Sequence, residues 1–219
     1  INLASGATLS GSQTIHLGTP LGTPVIIIVR GTGTATTTLD VNLELRADTS
    51  LVRLANGAVT ISGQMSGAGA FEDNCAGVLN LRNTNTFTGN LYIRYGREVN
   101  INAGDRLGSE STGLVQFDWL YPYPAGYTGP KLTLEPGTGT ATIGRVLDIV
   151  GGMHYPDNWP ALGTFNVPGP SDVLKYVNGL ETGSASRLAY KKTGPGTFSY
   201  EPPFLAFTPA LVPSTLGVV

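Results

Sequence analysis

Apolar and polar residues alternate along much of the chain. Asn42 and Glu44 separate Val41, Leu43 and Leu45, while Val59 and Ile61 flank Thr60 and Leu79 and Leu81 flank Asn80. The rhythm returns at Leu91 and Ile93, at Val99 and Ile101, and at Leu132 and Leu134. A period of two is that of an extended strand, whose side chains point alternately to opposite faces. Each segment therefore offers one apolar face and one face rich in Asn and Thr. Turns at Asn56-Gly57, Ser66-Gly67-Ala68-Gly69, Thr88-Gly89-Asn90 and Ala103-Gly104-Asp105 separate them. Strands that recur at intervals of often about ten residues fit a sandwich, barrel or solenoid.

Three stretches break the rhythm. Residues 151–170 are rich in Gly, Pro and aromatics and read as an irregular loop. Ser171-Asp172 stands where it would cap a short helix through Leu174, Tyr176 and Val177, stopped at Gly179. Pro202 to Val219 is apolar and punctuated by proline, which suits an edge strand or extended arm. The sequence thus divides into a solenoid-like domain, 1–150, and an irregular C-terminal cap or arm, 151–219, packed on the same domain or on a neighbouring subunit.

Composition supports strands over helices. Gly occurs 30 times in 219 residues and charged residues make up 13%, about half the share usual in soluble domains. The thirteen basic residues are scattered and the net charge is −2, which sets nucleic-acid binding aside because phosphates require clustered Lys and Arg. The longest apolar run, Val25 to Val29, is strand-sized, far from the roughly 20 residues that span a membrane. Cys75 is the one cysteine, so no internal disulfide forms, and with two histidines it makes no familiar zinc site.

From Ser66 to Gly113 the pattern is more specific. SGAGAF is followed by GVLNLRNTNTFTGNLYI and then EVNINAGDRLGSESTG. This string resembles the passenger-associated repeat of bacterial autotransporters. Leu79 and Leu81 fall on its first strand and Asn85-Thr86-Phe87-Thr88-Gly89 on its turn, with Phe87 where Tyr is usual. Leu107-Gly108-Ser109 falls at its end, and a second beginning stands at Lys192-Thr193-Gly194-Pro195-Gly196-Thr197-Phe198. The resemblance implies a right-handed β-solenoid on an exported surface protein, with repeat residues that are structural. Residues 116–127 and the last seventy depart from the repeat.

The expected fold is all-β, a β-solenoid of short coils with an irregular C-terminal part; a β-sandwich or jelly roll is the alternative. The first expected function is a structural subunit of an extracellular filament, fibre or surface layer, a homo-oligomer assembled through strand edges and terminal arms. The second is an adhesin or virus fibre that binds host glycan, and the third a polysaccharide-degrading β-helix enzyme. Location at a cell or virion surface follows from either of the first two. No enzyme activity, cofactor or metal is expected. The eight aspartates are dispersed, Glu72-Asp73 is the one adjacent acidic pair, and neighbours on a strand face opposite ways. Surface or turn positions are expected for nearly all of these acids. His154 is expected to bond backbone or water in its loop. Trp119, Tyr121 and Tyr123, in an aromatic run from Phe117 to Tyr127, are the candidate ligand or subunit contact.

Overall fold

The computed structural model describes residues 1–19, 22–30, 33–53, 57–74, 77–94, 98–110, 112–119, 129–151, 163–178, 180–181 and 190–201. The strands in chain order are β1 (Asn2–Ala4), β2 (Thr8–Leu17), β3 (Val25–Arg30), β4 (Thr37–Leu45), β5 (Thr49–Arg53), β6 (Val59–Ile61), β7 (Met65–Gly67), β8 (Phe71–Asp73), β9 (Val78–Leu81) and β10 (Leu91–Arg94). They continue as β11 (Glu98–Ile101), β12 (Leu114–Trp119), β13 (Lys131–Leu134), β14 (Thr140–Ile143), β15 (Val146–Gly151), β16 (Gly163–Asn166), β17 (Val173–Tyr176), β18 (Leu180–Glu181), β19 (Tyr190–Thr193) and β20 (Thr197–Tyr200). The one helical piece among the described residues is a 3-10 turn, Gly104–Leu107.

The chain winds as a β-solenoid. Sheet A runs β1-β3-β5-β8-β10-β12-β15-β18; sheet B runs β2-β4-β6-β9-β11-β13-β16-β19, with β7 also on β4; sheet C runs β14-β17-β20. All the strand pairs among the described residues are parallel. A sandwich or jelly roll built from hairpins would pair them antiparallel. No helix among the described residues is long and apolar enough to cross a membrane.

The alternation seen in the sequence becomes the core. Leu39, Ile61, Leu81, Ile101 and Leu134 occupy successive rungs of one inward column, Val59, Leu79, Val99, Leu132 and Phe165 those of another, and all are buried. Each such side chain contributes about 1.5–3 kcal/mol relative to exposure. The column can form only by stacking, because one coil has no second layer to cover its apolar face.

The outward face of sheet B carries a polar column in the same register: Thr8, Thr38, Thr60, Asn80, Asn100, Thr133, Asn166 and Thr193. Its amides and hydroxyls bond along the stack. Asn80 Nδ2 donates to Thr60 Oγ1 (3.1 Å), Asn100 Nδ2 to Asn80 Oδ1 (3.2 Å) and Thr193 Oγ1 to Asn166 Oδ1 (2.9 Å). At Thr133 the line is diverted, since its hydroxyl donates to Glu98 Oε1 (2.7 Å) and the buried Asn100 Oδ1 receives no hydrogen bond from a described residue. Glu98 also pairs with Lys131 at the half-exposed rim. In Glu98→Ala the Thr133 hydroxyl is free to turn to Asn100, so the net loss should stay below about 1 kcal/mol. A urea unfolding midpoint close to that of the parent is the expected result.

Two expectations are corrected here. Val173–Tyr176 is a strand paired with β14 and β20, not a helix. Leu174 and Tyr176 are buried side by side on its inner face, and the Tyr176 hydroxyl accepts the Leu147 amide proton (2.8 Å). Asp172 does not cap a helix; its carboxylate accepts from the amides of Gly137 (2.8 Å) and Gly139 (2.7 Å) on the preceding coil. Asp73, Asp148 and Asp172 are buried, although surface or turn roles were expected for most aspartates. Residues 163–201 add strands to sheets A and B and complete sheet C.

Two side chains replace backbone at corners. Asn85 is buried between coils; its Oδ1 accepts the Met65 amide proton (2.7 Å) and its Nδ2 donates to the Arg106 carbonyl (2.6 Å). Arg145, 1% exposed, sends its guanidinium to the carbonyls of Leu107, Gly89 and Thr112, with the Phe87 ring centroid 5.0 Å away. Gly108 and Gly113 have positive φ, and a Cβ at either would overlap that guanidinium. Burial pushes the Arg145 pKa down to about 10, so the group is still charged at neutral pH.

Candidate functional site

Sheet A turns a row of polar and aromatic side chains outward. The pairing register places Ile26, Ser50, Glu72, Tyr92, Gln116 and Asp148 on successive strands in one column. Period-2 alternation makes this inevitable, because Ile27, Leu51, Asp73, Ile93 and Phe117, the next residues along, fill the inward column. Glu72 and Asp73 therefore part company, the first facing out and the second buried.

A groove of about 170 Å³ lies on this face, lined by Asp48, Thr49, Ser50, Ala70, Glu72, Tyr92 and Arg94. Its polar groups are held in place. Ser50 Oγ donates to Glu72 Oε2 (2.8 Å), Asn74 Nδ2 donates to Glu72 Oε1 (2.6 Å), and Arg94 Nε pairs with the same Oε1. The Arg94 guanidinium also stands 5.1 Å from the Tyr92 ring centroid, and the Tyr92 hydroxyl accepts from Asn90 Nδ2 (3.0 Å). Asp48 closes one end and uses Oδ1 to accept the Ala70 amide proton (3.0 Å). Farther along the column, Gln116 Nε2 donates to Asp148 Oδ2 (3.0 Å). Ile26, at the other end, is 52% exposed, the highest value among the large hydrophobics described.

An ion-paired cluster lies on sheet B. Glu44 binds both His16 Nδ1 and the Arg46 guanidinium (2.9 Å). Arg46 first, and His16 after it, hold the Glu44 carboxyl below its usual range. All three side chains are at least a third exposed, so the cluster is a solvated one. No group of three or more His, Cys, Asp or Glu among the described residues has the arrangement of a metal site.

Of the aromatic contact residues expected from sequence, Trp119 ends β12, where its backbone pairs with Gly151. Tyr121 and Tyr123 lie outside the described residues, as do His154, Cys75 and the arm from Pro202 to Val219. By chain position, residues 120–130 connect sheet A to sheet B. The groove residues are a different set. Asp48, Glu72, Tyr92 and Arg94 are each ordinary in sequence; only their spacing of about one coil, set beside strand alternation, could have aligned them.

No family model, curated protein or solved structure matches this chain.

Proposed function

We propose that this chain is a structural, non-enzymatic rod module of an extracellular assembly, extended by coil-on-coil stacking with further copies. The supporting observation is the state of the two outermost described coils. Ile1, Leu3, Leu9 and Ile15 belong to the inward columns but are only partly buried. At the opposite end Phe198 is partly buried and Tyr200 is 37% exposed, stacked on Phe165 and Tyr176 at centroid distances of 4.5 and 5.5 Å. A further coil set against such an end would bury apolar surface and pair with the outermost described strands. The internally bonded polar column of sheet B and the carbonyl-capping Arg145 fit a rod built for stiffness. The likeness to autotransporter passenger repeats agrees with an exported surface location.

Negative-stain microscopy with the solution mass of the purified protein tests this. Filaments or regular oligomers are expected, and Leu3→Asp combined with Leu9→Asp should reduce them to monomers while the remaining coils stay folded by circular dichroism. Deleting residues 203–219 should likewise abolish assembly if that arm joins neighbours. A dispersed monomer at all concentrations overturns the reading.

A further inference from the structure

We propose that the sheet A groove is a carbohydrate subsite that seats one neutral sugar residue of a polysaccharide lying along the solenoid axis. This use of the rod's flank is separate from stacking at its ends. Shape is the first argument. Sites that enclose a drug-sized molecule run to roughly 300–1,000 Å³. A groove of about 170 Å³ takes one ring of a chain that continues beyond it.

Chemistry is the second. A neutral sugar offers hydroxyl donors at its rim and C–H groups on its faces. The groove meets the first with the carboxylates of Asp48 and Glu72 and the Ser50 hydroxyl, and the second with the Tyr92 side chain. Tyr92 is anchored by Asn90 and Arg94, and Glu72 by Ser50, Asn74 and Arg94. Groups already fixed lose little freedom when a ligand arrives.

Charge is the third. Among the described residues Arg94 is the one cation lining the groove and is paired with Glu72, while Asp48 adds a further negative charge. That balance disfavours phosphates and uronic acids and leaves neutral hydroxyl-rich chains as the match. The column continues to the exposed Ile26, an apolar shoulder along the same axis for the next sugar face.

The test is an amide-shift titration of the ¹⁵N-labelled protein with neutral hexasaccharides (β-1,4-linked glucose, xylose and mannose, and α-1,4-linked glucose), and with an oligogalacturonate as the anionic comparison. At least one neutral chain is expected to shift amides at 48–50, 70–74 and 90–94, saturating at millimolar concentration. Tyr92→Leu and Asp48→Asn should each weaken that binding about tenfold or more. Asp48→Asn keeps the Oδ1 that accepts from Ala70, so it preserves the local fold even if the tyrosine variant does not. No groove shifts up to about 10 mM of any neutral chain overturns the proposal. Shifts that survive both substitutions, or that appear only with oligogalacturonate, also overturn it.

Discussion

Replacing Arg145 by methionine is expected to cost roughly 3–5 kcal/mol and to be the most damaging single change in the described fold. The guanidinium binds three carbonyls, those of Leu107, Gly89 and Thr112, on coils that precede its own. Methionine fills similar space but donates nothing, which strands each carbonyl away from water at about 1–3 kcal/mol. Relaxation recovers part of that sum. A chain of this size loses about 2–4 °C of melting temperature per kcal/mol, so a fall of about 6–20 °C is expected. Arg145→Lys should lie in between, because a compact ammonium cannot reach all three acceptors in the same way. A solenoid is close to one-dimensional, and contacts run mainly between neighbouring coils. Hydrogen exchange should therefore quicken first near Gly108 and β14–β15, and less at β4–β6. Calorimetry or urea melts showing a loss below about 1 kcal/mol would mean that water replaces the guanidinium at no cost.

Asn85→Leu is expected to cost roughly 2–4 kcal/mol. Leucine is similar in size and apolar, so packing alone predicts little change. The loss arises because the Met65 amide and the Arg106 carbonyl are both left without the partners that Asn85 supplies. Asn85→Asp separates the two halves of the role. The new carboxylate still accepts from Met65 but points a negative oxygen at the Arg106 carbonyl. Burial and that carbonyl should raise its pKa above the ordinary value of about 3.9. A group with a raised folded pKa favours the fold in its protonated form. The Asn85→Asp variant should therefore gain stability relative to the parent as pH falls through the folded pKa of the new carboxyl, when the protonated oxygen can donate to Arg106. Urea melts of both variants between pH 7 and 4 check this, and a pH-independent difference would be evidence against the carbonyl contact.

The core was legible in the sequence where local and global preferences agreed. Val41, Leu43, Leu45, Val59, Ile61, Leu79, Leu81, Leu91, Ile93, Val99, Ile101, Leu132 and Leu134 alternate with polar residues, and all are buried. Residues 173–176 were misread because Leu174 and Val177 are three apart, a helical spacing, although Leu174 and Tyr176 are two apart as in a strand, and because Asp172 looks like a helix cap. Its partners, Gly137 and Gly139, are about a coil away in sequence, beyond any local signal. Arg145 was invisible for the same reason. Nothing beside it announces a buried cation; the clue is a pair of glycines, Gly108 and Gly113, whose missing Cβ atoms make room for it. Asn85 was noticed as part of a turn motif, but its bond to the next coil was not. The sheet A groove needed the register across coils, which no single segment contains.

The spacing of the ladder has a consequence for how the molecule can change. Bonded partners on sheet B stand twenty residues apart at Asn100 and Asn80, yet thirty-three apart at Asn166 and Thr133, while the strands keep their parallel register. Much of the added length lies where sheet A hands over to sheet B, between Trp119 and Lys131 and between Gly151 and Gly163. The strands on either side keep their register across gaps of unequal length. Segments grafted there would leave the stack from points about 4.8 Å apart, one above the next, so a single chain could display an array of foreign peptides along one edge at molecular pitch.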